Sequence, residues 1–244
     1  MYIINIMNRL YIIDFIRGCA IIMMVIFHIF LSFNLFNNAN YDLSNGLFKY
    51  IGIISRNLFI FLTGVSLYLS YKNNNRTDFK KKQFNRLISI LIFSIIITIL
   101  TYIVLPDRYI ISVVLHYIFL SLFLLTLFIN FFGIKYIYIL FCLSILFFIS
   151  NQQYYNSSNI IVNYLLHLLG LNIFFKSSID YFPLQKWLWK TIFGFIFAKN
   201  INIEKIQNIF PKILIDNIIT KIGKHSLFIY ILHIPLLYFL NKLI

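Results

Sequence analysis

The sequence predicts an all-α membrane protein, a bundle of about seven transmembrane helices with one further short re-entrant or interfacial helix. Two observations carry this. Of 244 residues, 61% are hydrophobic and only 11% are charged, and the mean hydropathy is +0.85, an apolar excess that a water-soluble core has no use for. The apolar residues are also gathered into stretches close to the roughly 20 residues that cross a bilayer, separated by short polar breaks. There is no internal repeat and no low-complexity linker, so residues 1–244 read as a single multi-pass domain.

The first apolar stretch gives a helix over about Tyr11 to Phe36, followed by a polar turn through Asn37, Asn38, Asn40, Asp42, Asn45 and Gly46. It is too long for a signal-peptide core and lacks a small-residue cleavage site, so it reads as a retained span. The second helix covers about Leu47 to Tyr71. The most basic segment of the chain, Lys72 to Arg86, then leads into a third helix over about Leu87 to Leu105, which Pro106-Asp107 ends because proline cannot continue the helical hydrogen bonding. A fourth helix runs from about Tyr109 to Phe132, a tight return follows at Gly133 to Lys135, and a fifth helix covers about Tyr136 to Ser150. Asn151 to Asn159 is turn-like. Ile160 to Phe175 is apolar but too short to span, which makes it the re-entrant or interfacial helix. A sixth helix is expected from about Pro183 to Ala198, then a basic stretch from Lys199 to Lys224, then a seventh helix from about Leu227 to Leu243.

The net charge of +14 raises the question of a nucleic-acid partner, but the Lys and Arg residues sit in short loops between apolar runs. No basic groove with stacking aromatics and no nucleic-acid motif appears, so nucleic acid is excluded and the lipid bilayer is the partner. Thirteen cations fall on one side of the expected topology and six on or near the other. The positive-inside rule then places the N-terminus in the cytoplasm and the C-terminus outside or in a lumen. Cys19 and Cys142 both lie inside apolar stretches, which yields neither a disulfide framework nor a metal site.

Charged and titratable side chains inside a spanning helix are costly and need a partner or a wet cavity. Asp14 and Arg17 stand three residues apart on the first helix and can form a local ion pair, structural or gating in role. His28 follows Arg17 by eleven residues and returns to within ~20° of the same face, ~16 Å further along the axis. From the outer helix ends, His28 lies ~12 Å deep, Arg56 ~14 Å, His116 ~11 Å and His233 ~15 Å. These residues, from four different helices, predict a buried polar layer in the outer half of the bundle. A histidine can take a proton from an amine or hydroxyl, and an arginine can stabilise negative charge developing on a carbonyl oxygen. Asp180 and Tyr181 stand where an outer loop enters the sixth helix, as candidates to hold a substrate hydroxyl or amine. His167 and His225 are expected near the surface.

Four stretches, in order, resemble the heparan-α-glucosaminide N-acetyltransferase-like family of membrane acyltransferases. They are Arg9-Leu10-Tyr11-Ile12-Ile13-Asp14-Phe15-Ile16-Arg17-Gly18, Arg56-Asn57-Leu58-Phe59-Ile60-Phe61-Leu62-Thr63-Gly64-Val65-Ser66, Asp180-Tyr181-Phe182-Pro183-Leu184, and Gly223-Lys224-His225-Ser226-Leu227-Phe228-Ile229-Tyr230-Ile231-Leu232-His233. Together they reach across nearly the whole chain. The last is similar to a segment found across the wider acyltransferase-3 type of membrane proteins. The resemblance implies an enzyme that takes an acetyl group from cytosolic acetyl-CoA and delivers it to an amino sugar or other glycan acceptor on the opposite side of the membrane, with no metal. In that family's lysosomal member the histidine implicated in transfer lies in the loop after the first helix. Here Asn37 to Gly46 contains no histidine, so that role is not carried over. His28 instead resembles a histidine of the bacterial-like members and is identified as general base or transient acyl acceptor. Arg56 and His116 then polarise or orient, Asp180 and Tyr181 bind substrate, and His233 completes the layer.

Two other readings fit the same residues. A carrier or flippase for a lipid-linked sugar would use the polar layer to bind cargo without chemistry, and a catalytically inactive relative would keep the layer as internal hydrogen bonding. The oligomeric state stays open, a homo-oligomer included.

Overall fold

The computed structural model describes residues 10–37, 39–104, 114–150, 155–172, 181–210 and 217–243. The helix stop at Pro106-Asp107, the start of the fourth helix, residues 173–180 and the middle of the 199–224 stretch lie outside the described residues. The helices are α1 (Tyr11–Phe36), α2 (Gly46–Lys72), α3 (Arg76–Val104), α4 (Val114–Phe132), α5 (Ile137–Ile149), α6 (Ile160–Leu169), α7 (Leu184–Asn200), α8 (Ile203–Ile209), α9 (Ile218–Lys224) and α10 (Ser226–Leu243), with a 3-10 turn at Ile134–Tyr136. No strand occurs among the described residues, and the chain is an all-α membrane protein.

Asparagine sets several of the helix starts. The side chains of Asn159, Asn202 and Asn217 each accept backbone N–H groups of the first turn of α6, α8 and α9, pairing donors that have no partner within the helix. Asn75 does the same for α3 through the Asp78 amide. The basic segment expected as a loop is therefore mostly helix, with α3 beginning at Arg76 rather than near Leu87. At 29 residues and ~1.5 Å per residue, α3 outruns a hydrocarbon layer of ~30 Å, and its basic first turns project beyond it. At the other end of α6, Gly170 adopts φ +93°, a left-handed conformation that glycine takes without steric cost. There the amide of Leu171 turns back to the Leu166 carbonyl.

Among the described residues four helices, α1 to α4, are long and apolar enough to cross a membrane, and the pair α9 and α10 makes a fifth if its 87° bend is taken as one broken span. The fifth and sixth expected spans are α5 and α7, of 13 and 17 residues. They are ~20 Å and ~26 Å long and fall short of the bilayer's hydrocarbon. Of the about seven expected spans, four or five are met on length among the described residues. The short helix expected over Ile160 to Phe175 is α6 and ends at Leu169. Its ten residues reach only ~15 Å.

The chain divides into two compact units, one of Met1–Leu62 with Ile201–Ile244 and one of Thr63–Asn200. In the first, α1 packs against α9 and α10. A Cβ added to Gly223 would stand 1.7 Å from the Asp14 carbonyl oxygen, and one on Gly18 would stand 2.0 Å from that of Ile219. Only glycine allows backbones so close, the usual solution where hydrocarbon supplies no hydrophobic drive between helices. The first half of α2 runs antiparallel to α1. The Ser55 hydroxyl donates to the Ala20 carbonyl at 2.8 Å, and the Phe48 ring lies 4.2 Å from that of Phe30.

In the second unit the end of α2 meets α7, where a Cβ on Gly64 would stand 1.9 Å from the Thr191 carbonyl oxygen. The Thr191 hydroxyl also shares a hydrogen bond with Tyr117 of α4, so three helices converge on one fully buried threonine. Outward faces are apolar. Ile88, Ile92, Ile95, Ile99 and Ile103 are exposed along α3, and Ile139, Leu143 and Leu146 along α5, a helical stripe that suits lipid rather than water. Phe228, Leu232, Leu236 and Phe239 do the same on α10 in the first unit.

Alanine at Gly18, Gly64 or Gly223 should destabilise the detergent-solubilised protein by roughly 1–3 kcal/mol or more, because the added methyl meets backbone that cannot move aside. Gly52→Ala should cost less, since its Cβ would meet only the Phe27 ring, at 3.0 Å. Thermal unfolding of the four variants checks this order.

Candidate functional site

The first unit brings two of the sequence-derived candidates together. His28 of α1 and His233 of α10 meet with ring centroids 4.9 Å apart and planes at 81°. The Nδ1–H of His28 donates to the Met24 carbonyl at 2.9 Å, and the Nδ1–H of His233 donates to the Tyr230 carbonyl at 2.6 Å. A carbonyl can only accept, so Nδ1 carries the proton in both rings, and in the neutral ring Nε2 holds the lone pair. The Nε2 of His233 is buried without a hydrogen-bond partner. Each ring is thus oriented by its own helix and presents a basic nitrogen.

Arg56 sits at a different level. Its neighbour Ser55 bonds to the Ala20 carbonyl, which puts Arg56 opposite the Ala20 to Met24 turn of α1, about one and a half turns short of His28. The equal depths expected from the sequence assume that both helices start level at the α1–α2 turn, whereas they are staggered.

Asp14 and Arg17 are in contact, with Arg17 Nη1 3.0 Å from Asp14 Oδ1. Asp14 is buried, and its backbone carbonyl is the one that Gly223 packs against. The pair therefore sits at the tight α1–α9 crossing.

His116 and Tyr181 belong to the second unit, and Asp180 lies outside the described residues. His116 is buried on α4 with Nδ1 lacking a hydrogen-bond partner. Tyr181 donates its hydroxyl to the His167 carbonyl at 2.7 Å and stacks on the His167 ring, centroids 4.3 Å apart. His225 is exposed as expected, but His167 is only 2% exposed, contrary to its expected surface position. The chain folds back after Gly170 and covers it, and its Nδ1–H donates to the Asn172 carbonyl at 3.2 Å. Around it the structure gathers amides that composition and spacing do not single out. Asn163 takes the Ser157 amide and the Asn172 side-chain amide on its Oδ1 and donates to the Ser157 carbonyl. Gln185 donates to the Phe147 carbonyl and the Ser150 hydroxyl. The signal the sequence does hold for them is polar amides beside Gly170 and Pro183 in otherwise apolar surroundings. Among the described residues no group of three or more His, Cys, Asp or Glu side chains is placed to hold a metal ion.

Residues 9–235 match the family described as heparan-alpha-glucosaminide N-acetyltransferase, catalytic. No curated protein and no solved structure matches the chain.

Burial holds the His167 imidazole below its ordinary pKa of 6.5, with the bond to Asn172 opposing it in part. The unfolded chain takes up a proton near that value while the folded ring resists. Stability of this segment is therefore full above pH 6.5 and declines as pH falls from there through the lower folded value. Hydrogen exchange over residues 160–172 should quicken between about pH 7.5 and about pH 5.5 beyond the intrinsic effect of pH, and His167→Phe should remove the excess.

Proposed function

We propose that this chain, a member of the heparan-alpha-glucosaminide N-acetyltransferase catalytic family, moves an acetyl group from cytosolic acetyl-CoA to an amino sugar or other glycan acceptor on the opposite side of the membrane. The observation that carries this reading is the pair of His28 and His233, each with Nδ1–H tied to its own helix and Nε2 available as a base. The family match covers parts of both units, which favours treating residues 1–244 as one catalytic domain.

In the proposed step the acceptor amine or hydroxyl attacks the thioester carbonyl while His28 Nε2 takes its proton. The C–S bond breaks, the C–N or C–O bond forms, and the proton passes to the departing CoA sulfur. A two-stage variant is equally balanced, with Nε2 attacking first and the acceptor then displacing acetyl from the imidazole. His233 supplies a neighbouring site for the proton. Arg56 enters as the residue that stabilises the charge developing on the carbonyl oxygen, on the resemblance alone. Asp180 and Tyr181 enter as acceptor-binding residues and His116 as an orienting residue on the resemblance alone.

The Lys and Arg distribution supports an N-terminus in the cytoplasm and a C-terminus outside or in a lumen. The polyanionic donor would then approach the side that carries Lys72, Arg76, Lys80, Lys81 and Lys82, all exposed at the junction of α2 and α3.

The test is acetyl transfer from radiolabelled acetyl-CoA in membranes expressing the wild type or His28→Ala, with sugar acceptors including glucosamine. Transfer should fall at least about 100-fold in the variant at equal expression. Undiminished turnover would remove His28 from the chemistry, and no label with either protein over a broad acceptor panel would overturn the enzyme reading in favour of a carrier or an inactive relative.

A further inference from the structure

The lipid-facing stripe of α3 runs on into its basic first turns. Counted at ~100° per residue, Ile88, Ile92, Ile95, Ile99 and Ile103 all fall within ~40° of Lys81, and Phe84 lies between Lys81 and Lys80. Both lysines are exposed, and Phe84 is 63% exposed. About one turn, ~5 Å, separates them from Phe84, close to the ~5–8 Å of a headgroup layer on each side of the hydrocarbon. On the neighbouring helix, Arg76 donates to the Asn130 carbonyl at 3.1 Å, which sets the last turn of α4 beside the first turn of α3. There Phe131 and Phe132 are 78% and 59% exposed. The lysines therefore stand between exposed aromatic rings, one deeper and two further out, so the membrane boundary runs past them rather than below them.

The other cations of this segment are engaged. Arg76 is held by Asn130, Lys82 by the side-chain oxygen of Asn74, and Lys72 and Arg86 have partners of their own. Among the described residues Lys80 and Lys81 have no hydrogen-bond or ion-pair partner, and Asp78, exposed and bonded through its amide to Asn75, is the one carboxylate between Lys72 and Arg86. Two adjacent ammonium groups at headgroup depth attract a phosphate that carries net negative charge, and the apolar stripe below them suits acyl chains. A choline headgroup brings its own cation and gains less.

We propose that Lys80 and Lys81, with Phe84 and Ile88 beneath them, form a binding site for an anionic phospholipid. The inference goes beyond the transfer reading, since it concerns the lipid around the protein and holds whether or not the chain transfers acetyl.

The test places the full-length protein in detergent micelles with equimolar dioleoyl phosphatidylglycerol and dioleoyl phosphatidylcholine at about 0.1 M salt, without acetyl-CoA, and quantifies the co-purified lipid by mass spectrometry. An excess of phosphatidylglycerol is expected, falling about fivefold or more in Lys80→Gln/Lys81→Gln. Lys205→Gln/Lys221→Gln, which removes the same charge from exposed positions of the first unit, should keep the excess. Glycerol phosphate at the lipid's concentration should not displace it, because it has no chains to lay on α3. No excess in the wild type, an excess unchanged in Lys80→Gln/Lys81→Gln, an equal loss in both variants, or displacement by glycerol phosphate would each overturn the proposal. Should thermal unfolding show Lys80→Gln/Lys81→Gln to be unfolded, salt decides on the wild type. The excess should vanish at about 1 M, where the screening length is ~3 Å, and an excess that survives there would overturn the site. No acetyl transfer enters the measurement, so failure here is separate from failure of the enzyme reading.

Discussion

Hydrocarbon offers no hydrogen bonds, and most polar side chains of this protein are arranged around that fact. Ser32, Ser94, Thr101, Ser121 and Ser144, all buried, turn their hydroxyls back onto carbonyls three or four residues earlier in their own helices. Water is not needed, and the helices remain intact. His28 and His233 use the same device through Nδ1. For a hydroxyl the device consumes its one donor, but an imidazole has a second nitrogen. Satisfying one fixes the other as an oriented base, so the rule that stabilises the helix also prepares the ring for proton transfer.

The same solvent removes the usual reason for helices to associate. What replaces it is close backbone approach at glycine, at Gly18 and Gly223 in the first unit and at Gly64 in the second. The first of these crossings bears on function. It clamps α9 to the start of α1 beside the Asp14–Arg17 pair, and the chain then bends by 87° into α10. Packed on α1 in its turn, α10 brings His233 to His28. The glycines are distant from the chemistry along the chain, yet the histidine pair depends on the crossing they permit.

Much of the helical layout is legible in the sequence. The bounds of α1 and α10 match within a residue or so, because runs of Ile, Leu and Phe between Asn, Lys and Pro leave the local backbone little choice. The start of α3 is not legible in the same way. A run of positive charge resembles a loop, whereas charged residues form helix well once an asparagine caps the first turn. Hydropathy suggests about seven spans, whereas four or five helices pass on length among the described residues, because α5 and α7 are apolar but short.

The sequence by itself determined that the chain is helical, that it lives in a membrane, and that histidines and arginines lie within its spans, since each of these follows from local composition weighed against the cost of solvation. It could not determine which of them meet. Depth counted along separate helices places Arg56 level with His28, but register depends on where one helix packs on the next, and the Ser55–Ala20 contact offsets them. His167 likewise is buried by contacts that spacing does not show, the Tyr181 ring stacked on its own and the Asn172 carbonyl beyond the turn at Gly170. Pairing, register and burial are properties of contacts between segments, and only the tertiary structure decided them.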